Sequence, residues 1–142
     1  MALIVRGARV LHGGAFVQRD ERIECPGPDR VVDGRGLTLA PAFCDLHVHL
    51  RQPGFEEKET IATGTRAAAR GGYTTVCAMP NLNPAPDSEG RLRAQLDIVD
   101  RDACVEVLPY MSLTEGRAGQ AAVVPPRDLS RVAGFSDDGS GV

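Results

Sequence analysis

From residue 42 onward, strand-forming and helix-forming stretches alternate, and this alternation restricts the fold more than any other feature. Residues 42–49 (AFCDLHVH) read as a strand and 59–70 as a helix ending in a run of alanines. Gly71-Gly72 supplies its stop. Residues 73–79 (YTTVCAM) are rich in β-branched and aromatic types and predict a second strand. After a Pro-rich loop over 80–86, Asp87 or Ser88 caps a second helix, with Leu92, Leu96 and Val99 on one face. Residues 103–111 predict a third strand, 127–131 a short helix behind Pro125-Pro126, and 133–136 a fourth strand. Repeated strand–helix–strand units imply a parallel α/β sheet. No Gly-x-Gly-x-x-Gly follows a strand, so a dinucleotide-binding sheet is not favoured. A (β/α)8 TIM-type barrel takes about 250 residues. This chain is long enough to supply about half of one, and its end at Gly141-Val142, directly after an Asp-Asp-Gly turn, reads as a truncation.

Residues 1–41 follow a different pattern. The stretch 3–11 (LIVRGARVL), with Gly7 in the middle, reads as a strand pair or hairpin. Residues 15–17, 21–24 and 30–33 read as further short strands, separated by Pro/Gly loops. We expect 1–41 to be part of a small all-β unit and 42–142 to form a separate α/β unit. The small unit has too little sequence to close by itself and calls for partner strands.

Composition narrows the function classes. Hydrophobic residues are 42% and charged residues 25%, which suits a chain with a packed core. The net charge of −3 and the absence of any Lys/Arg run argue against a nucleic-acid partner. No stretch is apolar enough to span a membrane, and the N-terminus carries no signal peptide, so the cytoplasm is the expected compartment. The four cysteines form no CxxC pair and read as free thiols, with Cys44 and Cys77 expected to be buried.

The chemistry concentrates at the predicted strand ends. His47 and His49, at i and i+2, share a face of the first strand and suit one metal ion. Asp45, one step deeper, is placed as their outer-shell partner. On its own the motif is short, and two histidines on a polar strand face without metal is an equal reading. Arg51 follows closely. A guanidinium beside two metal-binding imidazoles is electrostatically awkward unless an anion, such as a substrate carboxylate, lies between them; a surface pair with Glu56, Glu57 or Glu59 is the alternative. Asn81 stands at the rim after the second strand, either to bind a carboxylate or carbonyl or merely to form a turn. After the fourth strand come Asp137 and Asp138. One should point inward, and two adjacent carboxylates need relief, most simply from a metal; an Asp-Asp-Gly turn is the competing reading. In a parallel barrel these ends share one face.

The text DLHVHLRQPGFEEKETIATGTRAAARGGYTTVCAMPN (45–81) closely resembles bacterial dihydroorotases of the amidohydrolase superfamily, as do LTLAPAFCDLHVH before it and GFSDDGSGV at the end. The resemblance implies a (β/α)8 barrel with a small β-sandwich from both termini, and zinc, as one or two ions. It implies that His47, His49 and Asp138 are metal ligands, Asp138 marking the branch that uses Asp in place of a carboxylated lysine. It implies that Arg51 and Asn81 hold the substrate carboxylate, with His49 also close to substrate. The implied reaction interconverts N-carbamoyl-L-aspartate and L-dihydroorotate in pyrimidine biosynthesis. The implied partners are that small-molecule substrate, further copies of the chain in a homo-oligomer, and another enzyme of the pathway. The family's catalytic aspartate and remaining histidine ligands belong to later strands outside this chain, so the chain alone is expected to be inactive. Hydantoinases and allantoinases share the HxH; the Arg after HxHL and the Met-Pro-Asn favour dihydroorotase. A catalytically inactive scaffold subunit is a further alternative. Ala42 departs from the family, which usually has Gly there.

Overall fold

A computed structural model describes residues 1–141; the chain end at Val142, read above as a truncation, lies outside them. The chain divides into two units, Met1–Pro41 and Ala42–Val142. In the first, β1 (Ala2–His12) pairs antiparallel with β2 (Ala15–Glu24). Gly13 and Gly14 join them, at φ 58° and 82°; two successive positive φ values are what a tight hairpin turn requires. β3 (Arg30–Asp33) and β4 (Thr38–Leu39) both pair parallel with β1. The stretch 3–11 is therefore one continuous strand and not a hairpin. Gly7, at φ 66°, creates a register shift between Val5 and Ala8 that kinks it. The Gly7 amide donates to Asp20 Oδ1 (2.8 Å), and its carbonyl accepts from Gln18. Residues 15–24 likewise form one strand where two were expected. Val5, Ala8 and Val10 make the core of this sheet, with Leu3 and Leu39 packed on it. Phe16, Val17, Ile23, Val31 and Val32 stay exposed. The described residues of this unit form one sheet layer.

The second unit is a mixed α/β structure built on a parallel half-barrel sheet. β5 (Phe43–Val48), β6 (Tyr73–Ala78), β7 (Glu106–Met111) and β8 (Gly134–Phe135) lie side by side in chain order, all parallel. Helix α1 (Ile61–Arg70) connects β5 to β6, and α2 (Glu89–Asp102) connects β6 to β7. α1 begins two residues later than its composition suggested because Thr60 caps it. The Thr60 hydroxyl accepts from Thr63 N–H, while Thr63 Oγ1 accepts from Thr60 N–H; this reciprocal box satisfies two otherwise orphaned donors. Gly71 closes the helix and Gly72, at φ 86°, turns the chain into β6. The main core joins Leu50, Ile61, Val76, Ala78, Val99 and Val107; a second cluster joins Leu92, Leu96 and Met111 to Val132 and Phe135. Fully burying a side chain of the size of Ile61 or Met111 contributes about 1.5–3 kcal/mol.

Residues 127–131 form no helix. Asp128 Oδ1 accepts from Ser130 N–H (2.9 Å), and Val132 N–H reaches Leu129 O (3.1 Å), so the stretch closes as turns; five residues behind two prolines are too few to nucleate a helix unaided. The described residues joining β7 to β8 instead contain one 3-10 turn, Glu115–Arg117, with Gly116 and Arg117 both at φ 59°. All four cysteines are free. Cys77 is buried, and that burial, with the neighbouring Cys44, pushes its thiol up. Cys44 is exposed, contrary to expectation, because β5 is an edge strand of the described sheet.

Candidate metal centre

Parallel strands bring their C-terminal ends to one edge, and three of those ends carry the polar side chains. His47 and His49 leave β5, Asn81 follows β6, and Asp137-Asp138 follow β8. One ligand atom from each of His47, His49 and Asp138 lies within 4.8 Å of the others. His47 Nε2 stands 3.2 Å from Asp138 Oδ1, and the two imidazoles meet edge to face at 5.1 Å between centroids. Asp138 is largely enclosed, while His47 faces outward, its side chain 57% exposed. Two imidazoles and a carboxylate match the donor set of a zinc site that keeps a position open, so these residues fit a divalent ion.

Asp45 lies outside that group. The register shifts between Asp45 and Val48, which breaks the simple alternation that put residue 45 on the histidine face. Its carboxylate accepts from the His47 backbone N–H (3.1 Å). Asp45 thus supports the backbone of His47 and not its imidazole.

Asn81 links the other two. Its Nδ2 donates to Asp138 Oδ2 (3.0 Å), and its Oδ1 stands 3.0 Å from His49 Nδ1. An ionised carboxylate only accepts, so the amide nitrogen must face Asp138 and the oxygen must face His49. His49 then carries its proton on Nδ1 and leaves Nε2 free to ligate. Arg51 sits at the start of the next loop, at φ 58° and half-buried. It enters no ion pair among the described residues. Two of the carboxylates considered as its partners are engaged locally, Glu56 by Gly54 N–H and Glu59 by Thr60 N–H.

The two adjacent aspartates differ completely. Asp137 is buried, and its carboxylate accepts from the N–H groups of Leu113 (2.9 Å) and Thr114 (3.1 Å) and from the Thr114 hydroxyl. Burial pushes the Asp137 carboxyl up, but the Thr114 and Leu113 bonds and the Arg117 charge outweigh it and hold the group below the ordinary carboxylate range. Asp138 takes φ 54° and turns toward the histidines. Thr114 and Arg117, which brace this turn, carried no motif by which sequence reasoning would have found them.

The Dihydro-orotase-like family matches residues 36–136. The chain is 46% identical over 132 residues to a dihydroorotase of Anoxybacillus flavithermus (strain DSM 21510 / WK1), covering 92% of this chain and 31% of that protein. It is 42% identical to a dihydroorotase of Staphylococcus aureus (strain N315), covering 98% and 36% respectively. The chain thus spans about a third of the length of these relatives. Among solved structures, an L-hydantoinase (dihydropyrimidinase) from Arthrobacter aurescens superposes with a TM-score of 0.74 at 17% identity, covering 99% of this chain and 35% of that one. At that identity the likeness speaks for the fold alone.

Proposed function

We propose that this chain, which belongs to the dihydro-orotase-like family, forms the metal-anchoring first half of an enzyme that interconverts N-carbamoyl-L-aspartate and L-dihydroorotate in pyrimidine biosynthesis. The observation that carries the reading is the convergence of His47, His49 and Asp138, with Arg51 two positions after His49 in the chain. The proposed ion is zinc, held by those three residues together with ligands from outside this chain. When bound, such an ion supplies Lewis acidity toward a carbonyl and makes water more acidic.

The chain's own residues bind and orient. Arg51 offers a planar fork for the substrate carboxylate. Asn81 has one Nδ2 hydrogen committed to Asp138 and keeps the second for the same carboxylate or a ring carbonyl. His49, fixed in its tautomer by Asn81, lies close enough to these groups to contact substrate as well. Holding the substrate by its carboxylate sets the reacting amide against the metal edge, which is a proximity effect. The proton-moving carboxylate is proposed to lie outside this chain. We further place residues 1–41 in a β-sandwich completed by other strands; the exposed apolar side chains of that sheet support this. Residues 42–142 form the barrel half. No helix of the described residues is long and apolar enough to cross a membrane; the proposed location is the cytoplasm. A homo-oligomer, associated with another enzyme of the pathway, completes the reading.

The test is turnover of the intact protein on dihydroorotate beside an uncharged hydantoin. Preference for dihydroorotate, with Arg51→Ala raising KM at unchanged zinc content, supports the assignment. Equal turnover of both substrates would make the protein a general cyclic amidase, and zinc loss in Arg51→Ala would make Arg51 a structural residue.

A further inference from the structure

The turn that presents Asp138 is held from outside by a residue that touches neither histidine. Arg117 donates from Nη2 (2.9 Å) and Nε (3.2 Å) to the Asp137 carbonyl, and from Nη2 to Ser140 Oγ (3.1 Å). On the opposite edge of the same peptide plane, the Asp138 N–H donates to Ser136 Oγ (2.9 Å). The peptide between the two aspartates is therefore pinned at both poles. Asp138 sits at φ 54°, in the left-handed region, which aspartate enters more readily than most L residues but still at some cost, and the pinned peptide helps to hold it there. The same turn is anchored a third time through the Asp137 carboxylate on Leu113 and Thr114. Arg117 itself sits at φ 59° after Gly116, whose N–H is held by Asp87 Oδ2 (2.9 Å). The clamp thus runs from the loop after β6, through the loop after β7, to the candidate ligand after β8.

We propose that Arg117 is a positioning residue for the metal centre: by fixing the Asp137–Asp138 peptide it aims the Asp138 carboxylate at the ion shared with His47 and His49. This rests on the metal-site reading above. A forked guanidinium suits the task, since it reaches one carbonyl with two nitrogens and a hydroxyl with one of them. A lysine retains the charge and loses the fork.

The test is metal affinity of the intact protein, measured by chelator competition with zinc, and the visible absorption of the cobalt-substituted form, for Arg117→Met, Arg117→Lys and His47→Ala. Supporting groups behind metal ligands typically account for 10–100-fold in affinity. Arg117→Met is expected to weaken zinc binding about tenfold or more and to alter the cobalt spectrum, while the metal-free protein unfolds near the wild-type temperature. Arg117→Lys is expected to fall between, and serves as the readout if the Met variant does not fold. Wild-type affinity and spectrum in both Arg117 variants, with His47→Ala losing metal, would overturn the clamp and leave the metal site standing. Unchanged binding in His47→Ala would overturn the metal site and the clamp with it.

Discussion

Replacing Gly54 with alanine tests whether the loops carrying Arg51 and Asn81 are packed as tightly as the structure shows. Gly54 lies in the loop carrying Arg51 and takes φ 103°, a conformation L side chains rarely adopt. A Cβ there would stand 2.1 Å from the Asn83 carbonyl oxygen and 2.7 Å from the Asn83 Cβ. The obstacle is backbone, so no rotamer change relieves it. The two loops are also joined by a bond from Asn83 N–H to Pro53 O (3.1 Å). Forcing an L residue into positive φ costs about 1–2 kcal/mol, and loss of the interloop bond adds about 1 kcal/mol. The expected destabilisation is therefore about 2–3 kcal/mol, read by denaturant unfolding of the intact protein. The functional effect should exceed what lost stability explains, because the loops separate where Arg51 and Asn81 are proposed to hold the same substrate carboxylate. A misplacement on the order of 1 Å at such a position lowers kcat/KM by as much as about 100-fold. Wild-type unfolding together with wild-type kcat/KM in Gly54→Ala would refute the packing.

Two further outcomes follow from local geometry. The depressed Asp137 carboxyl contributes stability that is complete above its unfolded value near 3.8 and is lost as pH falls through its lower folded value; Asp137→Asn should flatten the acid limb of the stability–pH curve, and an unchanged limb would show that the charge is not stabilised there. Thr60→Ala removes one half of the α1 capping box and should cost about 1 kcal/mol in urea unfolding, with no change in metal content because the cap lies outside the ligand cluster.

The order of strands and helices in the second unit was legible because periodicity is local. Leu92, Leu96 and Val99 announce the buried face of α2 from spacing alone, and all three are buried. What failed depends on single residues in context. Gly7 in the stretch 3–11 suggested a hairpin, but the same backbone freedom accommodates a bulge, and Asp20 and Gln18 on the partner strand complete that bulge with side-chain bonds. The short helix expected over 127–131 had composition in its favour and too few residues for propagation to overcome nucleation. Cys44 looked like a core residue because its neighbours are apolar, yet burial in an edge strand depends on what lies beside it.

The candidate site was legible where one strand supplies both proposed ligands and opaque where its residues meet across the chain. His47 and His49 announce themselves by spacing, whereas the bonds from Asn81 to His49 and Asp138 span 32 and 57 positions and leave no periodic trace. The aspartate pair shows how a sound argument reached further than its premise. Adjacent carboxylates need relief, and a metal was the relief inferred. The structure relieves Asp137 without one, through two backbone N–H groups, the Thr114 hydroxyl and the charge of Arg117. Repulsion between the two residues therefore does not by itself demand an ion. What favours one is that Asp138 is turned in the other direction, onto His47 and toward a histidine whose Nε2 is left free by Asn81. The direction of Asp138, more than its charge, connects this loop to the candidate centre on the HxH strand.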